Sequence, residues 1–240
     1  MNAPTWNEIS KEQQTSFSFS GRIKLEDWYS NSTEGQECIP ISRANIEKII
    51  TDAKNRVIDD AYGITNRWLY DCLESHPVRG KSVAIMGSIR PWYEAIALTH
   101  GGSPTTIEYN DPKYDHPDIK CISVPEYWKS PTLFDSAFSI SSFEHDGLGR
   151  YGDPIDPWGD FRAMNEMKQM IKKDGLLYIA VPVGIDKVVW NAHRVYGEIR
   201  LPLLFSGWEI IKSEGFSEEE LRLDYGNGGP HQPMFVLRNI

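Results

Sequence analysis

Five short apolar runs follow one another between residues 82 and 183: Ser82–Met86, Thr105–Glu108, Ile119–Val124, Phe134–Ile140 and Leu176–Val183. Segments with helical spacing separate several of them. Parallel strands need a long crossover, usually a helix, so this alternation predicts a mostly parallel sheet covered by helices on both faces. Pro91 opens one such helix, running to His100. Another is predicted over 158–172, with Phe161, Met164, Met167 and Ile171 on one face, Lys172 and Lys173 at its negative end, and Gly175 just beyond. Trp208–Glu214 and Met234–Arg238 read as two closing strands joined by the segment Gly226–Pro233, which makes seven strands with the last antiparallel.

The first 80 residues differ in character. Residues 1–42 are rich in Ser, Thr, Asn, Gln and Glu without sustained periodicity, which predicts a flexible arm or lid with little regular structure. From Ser42, which offers a cap, Ile46, Ile49, Ile50, Ala53, Val57 and Ile58 recur at helical spacing. A second helix is predicted over 65–75, ending before Pro77. Residues 43–80 thus form a helical cap on a domain spanning 81–240.

A chain of 240 residues that is 40% hydrophobic fits one globular domain with a small appendage. Its 34 acidic against 25 basic residues give a net charge of −9, which argues against broad contact with nucleic-acid phosphates or anionic lipid. No apolar run approaches the roughly 18 residues that cross a bilayer. Met1–Ser20 shows no apolar core behind a positive start, so the expected compartment is the cytoplasm. Cys38, Cys72 and Cys121 are widely spaced and read as reduced packing residues, and Asn31-Ser32-Thr33 reads as a chance match to a glycosylation acceptor.

In open parallel sheets ligands bind at the carboxyl ends of the strands. Gly87 follows the first strand and allows close backbone approach before a helix N-terminus, and Glu108 ends the second strand, where a carboxylate can accept both hydroxyls of a ribose. A lone glycine after a strand is more often just a tight turn, and a lone strand-terminal glutamate a solvated charge; together they imply a nucleoside-containing ligand. The phosphate fingerprint GxGxxG is absent after Gly87, which disfavours NAD and FAD. His145, Asp146, Asp153, Asp156 and Asp160 cluster within sixteen residues, a pattern that suits a divalent cation. Asp153-Pro154 and Asp156-Pro157 are also ordinary turn chemistry and Asp160 can cap a helix, so no metal is assigned. No serine-hydrolase elbow, zinc helix or Walker lysine loop is present.

The strand-one glycine, the strand-two acid, the stretch Phe134 to His145 and the run Lys173-Asp174-Gly175-Leu176-Leu177 resemble the class I S-adenosylmethionine-dependent methyltransferases, from about Gly80 to the C-terminus. More narrowly, Gly87-Ser88 with Pro91-Trp92-Tyr93-Glu94, Phe143-Glu144-His145-Asp146-Gly147 through Pro154, and Asn191-Ala192-His193-Arg194-Val195-Tyr196-Gly197 resemble a domain family of unknown function first catalogued from nematode proteins. The resemblance implies a Rossmann-like three-layer α/β sandwich and S-adenosyl-L-methionine as cofactor. It further implies that Gly87 and Ser88 pass under the methionine portion, Glu108 holds the ribose, the loop after Val124 borders the adenine, and Ser141 and Glu144 lie near the sulfonium. Trp92 or Tyr93 would face that cation.

Three histidines fall in loops at the ligand end. His145 directly follows strand four and is the preferred base for an acceptor hydroxyl, although a hydrogen-bonded boundary histidine fits the same pattern. His193, Arg194, Tyr196 and His231 are the candidate acceptor-binding group, the guanidinium suiting a phosphate or carboxylate. The expected activity is methyl transfer to a hydroxyl of a small polar acceptor of the sugar or glycan-precursor type, with neither nucleic acid nor membrane as partner. A catalytically silent binding domain, which would explain the crowded Arg90-Pro91-Trp92 loop, and a nicotinamide-dependent oxidoreductase are the alternatives.

Overall fold

The structure is a computed structural model that describes residues 3–30, 40–58, 62–109, 112–226 and 231–240. The helices are α1 (Lys11–Phe17), α2 (Arg43–Lys54), α3 (Gly63–Ser75), α4 (Trp92–Thr99), α5 (Val124–Lys129), α6 (Gly159–Met170) and α7 (Arg200–Leu204). The strands are β1 (Lys24–Asp27), β2 (Ser82–Met86), β3 (Ser103–Glu108), β4 (Lys120–Ser123), β5 (Phe134–Ile140), β6 (Ile171–Ala180), β7 (Lys187–Trp190), β8 (His193–Val195), β9 (Trp208–Glu214) and β10 (Met234–Asn239).

Seven strands form the main sheet in the order β4-β3-β2-β5-β6-β10-β9. The first five are parallel, and β10 runs antiparallel to both β6 and β9. The expected α/β sandwich is therefore observed, with β2 and β5 side by side at its centre. Strand side chains alternate between the two faces. Val83, Ile85, Phe138 and Tyr178 pack under α2, α3 and α4, whereas Ala84, Ala137, Leu177 and Ile179 pack under α6 and α7. Burying each large aliphatic side chain stabilises such a core by about 1.5–3 kcal/mol. Because strand order reverses between β2 and β5, a crevice opens at their carboxyl ends, where the site is built.

Four expectations need correction. Residues 1–42 are not devoid of regular structure: Ser10 and Gln13 form a reciprocal capping box that starts α1, and β1 pairs in parallel with β7. With β8 these make a second, three-stranded sheet. Its core joins Ile9, Phe17 and Ile23 to Leu148, Val188 and Trp190, with the Trp190 ring 5.2 Å from both Trp6 and Phe17. The partner strand lies about 160 residues away, so local periodicity carried no sign of it. Next, α2 stops at Lys54: Arg56 has φ +53°, and Val57 and Ile58 are exposed rather than packed. Third, α6 ends at Met170, because Ile171 turns extended and pairs with Phe134. Lys172 and Lys173 therefore lie in a bulged β6 and not at a helix terminus. Asp174 has φ +63°, and a Cβ at Gly175 would lie 2.5 Å from Ile171 Cγ2 and 2.8 Å from the Asp135 carbonyl, so the bulge admits only glycine there. Finally, Val181–Val183 lie beyond β6, and the chain then forms the β7–β8 hairpin instead of continuing the sheet.

Cys72 is buried, which pushes its thiol up to about 12, and Cys121 is half-buried. Cys38 and Asn31-Ser32-Thr33 lie outside the described residues. Among the described residues no helix is long and apolar enough to cross a membrane.

Candidate active site

The crevice lies among the turns after β2, β3 and β5, with Met86, Ile107 and Phe143 on its wall. Gly87 ends β2 with φ +67°, and a Cβ there would lie 2.2 Å from Ser142 Oγ, so the hydroxyl of the β5 loop occupies the space that glycine leaves. Ser88 is buried and donates to Glu94 Oε2 at 2.9 Å and to the Arg90 carbonyl at 2.9 Å. Glu94 also accepts from Thr106 Oγ1 at 2.6 Å, and burial lifts its carboxyl to about 7. Trp92 packs in the core beneath the turn, its indole Nε1 lacking a partner among the described residues.

Glu108 stands half-buried at the end of β3, where Oε1 accepts the Tyr109 N–H at 2.7 Å. Val124, which begins α5 behind a Ser123–Glu126 capping box, lines a cleft with Met86, Ile107, Tyr109, Phe143 and Asp146. Burial holds the Asp146 carboxyl well above the usual carboxylate range, reinforced by the charge of Asp153.

At the end of β5 the chain turns through Ser141, whose φ is +52°. Ser141 Oγ donates to Glu144 Oε1 at 2.6 Å and accepts from Gln232 Nε2 at 3.1 Å. Glu144 is fully buried, and desolvation lifts it to about 7 despite the Ser141 hydrogen bond. Its Oε2, like Gln232 Oε1, has no hydrogen-bond partner among the described residues. Two buried acceptor oxygens thus lack donors beside one serine. Gln232 is held by the Thr65 hydroxyl, which donates to its carbonyl at 2.7 Å. It went unnoticed in the sequence, since a glutamine two residues before a closing strand carries no pattern.

His145 follows directly. Its Nδ1 lies 2.6 Å from the Ala192 carbonyl, which only accepts, so Nδ1 bears the proton and Nε2 is the basic nitrogen, 3.8 Å from Glu144 Oε1. Burial lowers the imidazole to about 4, so it is neutral at physiological pH. His193 lies with its ring 6.5 Å away and is likewise lowered to about 4, chiefly by burial.

The other candidate acceptor residues do not face the crevice in this way. Arg194 is fully buried and donates to the carbonyls of Glu144, Asp146 and Asp156 at 3.3, 2.5 and 3.1 Å, clamping the loop after β5. Tyr196 donates to Asp160, which Arg200 also binds at 2.6 and 2.7 Å, a wholly buried network. His231 Nε2 lies 2.8 Å from the Gly215 carbonyl and its ring stacks on Tyr225. The aspartates weighed as metal ligands are engaged too: Asp153 accepts from the amides of Gly147, Gly149 and Tyr151, and Asp156 pairs with Arg162.

Residues 80–226 match the family DUF268, described as a Caenorhabditis protein of unknown function. The chain belongs to this family. A solved structure similar to this family member is that of Burkholderia thailandensis 1,6-didemethyltoxoflavin-N1-methyltransferase with bound 1,6-didemethyltoxoflavin and S-adenosylhomocysteine. The TM-score is 0.54 and the identity 16%, over 82% of this chain and 86% of that one. The N-methyltransferase NodS from Bradyrhizobium japonicum WM9 in complex with S-adenosylhomocysteine is similar at a TM-score of 0.48 and 15% identity, over 82% and 97% of the two chains. The PH0226 protein from Pyrococcus horikoshii OT3 follows at 0.49 and 11%, over 72% and 89%. No curated protein matches the chain. The Burkholderia enzyme thus shares its fold with this DUF268 member.

Proposed function

We propose that the protein transfers a methyl group from S-adenosyl-L-methionine to a hydroxyl of a small polar acceptor of the sugar or glycan-precursor type. The observation that carries this reading is the pair of buried acceptor oxygens beside Ser141 at the end of β5, Glu144 Oε2 and Gln232 Oε1, which lack donors among the described residues. An unpartnered buried acceptor costs about 1–3 kcal/mol, and a ligand bearing an ammonium beside a sulfonium relieves both. The cofactor, when bound, supplies an electrophilic methyl group on that sulfonium. In this reading Glu144 and Ser141 hold the cationic end, Gly87 and Ser88 shape the turn beneath it, and Trp92 supports that turn. Glu108 binds the ribose, and the cleft at Val124 receives the adenine. His145 Nε2 accepts the proton of the acceptor hydroxyl as its oxygen bonds to the methyl carbon and the carbon–sulfur bond breaks in line. His193 stands beside it toward the acceptor, with Arg194, Tyr196 and His231 fixing the loops that carry the site.

Calorimetric titration with S-adenosylhomocysteine tests the reading. Glu108→Ala is expected to lower affinity by roughly 2 to 4 kcal/mol, about 30-fold to 1000-fold, with stability unchanged. An unchanged affinity removes the ribose assignment. Asp111, the competing carboxylate for that role, lies outside the described residues. Heat with NAD but not with S-adenosylhomocysteine would favour an oxidoreductase, and heat with neither a silent binding domain; the second has its own support in the Ser142 hydroxyl that fills the space over Gly87.

A further inference from the structure

Arg150 is the arginine beside the candidate base that forms no ion pair among the described residues. It is half-buried, and its guanidinium carbon lies 5.3 Å from the ring centroids of both Trp28 and Tyr151. It makes no hydrogen bond or ion pair to a described residue, in a chain where acidic residues outnumber basic ones 34 to 25. The nearby carboxylate, Asp153, is taken by three backbone amides. Glu26 is paired with Lys187. Tyr151 in turn touches His145 edge-on, with ring centroids 5.5 Å apart, and His193 lies just beyond. Trp28 comes from the chain just after β1 and Tyr151 from the loop after β5, so the second sheet and the main domain together build the arrangement.

A guanidinium carries its five N–H donors along its edges, in the plane. Two aromatic side chains hold Arg150 but offer those edges no acceptor. Edges left in this way suit a planar, bidentate partner, a carboxylate or a phosphate. We infer that Arg150 binds an anionic group of the methyl acceptor, so that the acceptor is a hydroxylated small molecule bearing a carboxylate or phosphate, of the uronate or sugar-phosphate kind. This rests on the methyl-transfer reading and specifies its acceptor. The role foreseen for the Arg194 guanidinium thus passes to Arg150, since Arg194 is sealed in the loop clamp.

The test uses the whole chain, with inorganic phosphate and acetate as separate probes at constant ionic strength set by chloride. Nitrogen-edited NMR follows the arginine Nε–H signals, Arg150 being identified by the signal that Arg150→Gln removes, together with the His145 ring. One or both anions should move the Arg150 and His145 signals with saturation in the millimolar range. Arg150→Gln should weaken binding at least tenfold, and Arg150→Lys by less. Response to phosphate alone marks a phosphorylated acceptor, and to acetate alone a carboxylated one. Arg150 signals that neither anion moves, or equal binding by Arg150→Gln, overturn the inference. S-adenosylhomocysteine is titrated into the same proteins and should bind wild type and Arg150→Gln equally. Anion binding without S-adenosylhomocysteine binding keeps the anion site and sinks the methyltransferase reading, whereas the reverse sinks the anion site alone.

Discussion

Glu94 and Glu144 are both fully buried at the carboxyl ends of the parallel strands, and burial lifts each carboxyl to about 7. Their surroundings differ in one respect. Glu94 has a hydroxyl on each oxygen, from Thr106 and from Ser88, and so ties β3 to the turn after β2. Glu144 has Ser141 on one oxygen and nothing described on the other. Equal burial with unequal satisfaction separates a carboxyl that completes the fold from one with an oxygen left open among the described residues, the one proposed above to meet the cofactor. The pKa alone, identical in direction and cause, does not tell them apart; the count of donors does.

Three measurements break or sharpen this contrast, from the largest effect downward. A carboxyl raised from the usual 4.5 to about 7 on folding contributes stability that is present in full below about 4.5 and is lost as pH rises through 7. Both Glu94→Gln and Glu144→Gln should therefore exceed the ligand-free wild type by about 2 to 3 kcal/mol at pH 8, with little difference at pH 4.5, measured by urea unfolding at the two pH values. A gain that is the same at both values would show that folding leaves the two carboxyl pKa values where they stand in the unfolded chain. Affinity for S-adenosylhomocysteine comes next: Glu144→Gln should lower it about 30-fold, roughly 2 kcal/mol, because a charge-assisted bond to an ammonium is lost, while Glu94→Gln stays within about threefold. If the two variants respond alike, the distinction drawn from donor counts is wrong. The smallest effect is protonic. A cation beside Glu144 lowers its pKa, so binding at pH 7 should release up to about half a proton in the wild type and in Glu94→Gln, and none in Glu144→Gln. Calorimetry in buffers of different ionisation enthalpy reads this directly.

The two histidines set the other side of the pH window. His145 and His193 are held near 4 by burial, so the stability that comes with their neutral form is present above about 6.5 and is lost as pH falls toward 4. Because the loss from the two glutamates spans about pH 4.5 to 7 and the gain from the two histidines about pH 4 to 6.5, the contributions largely cancel, and they leave the ligand-free protein nearly level in stability between about pH 4.5 and 6.5.

The alternation of apolar runs and helical segments from Ser82 to Met234 determined the strands of the main sheet and its class, because a two-residue or 3.6-residue period is written in local side-chain order. Gly87 and Glu108 were legible for the same reason, since each sits where a strand ends. Ser141, Glu144 and His145 could be placed after β5, but their order along the chain held no sign that Glu144 keeps one oxygen unpaired while His145 turns its Nδ1 to Ala192, 47 residues on. The N-terminal arm shows the limit most plainly: β1 exists because β7 offers it edge hydrogen bonds and Trp190 a core, neither of which is a property of residues 24–27. In the sequence Arg194 stood out as the acceptor-binding guanidinium and Arg150 did not. Tertiary structure alone set the two apart, burying Arg194 where backbone carbonyls accept from its Nη1 and Nη2 and leaving Arg150 against two aromatic rings.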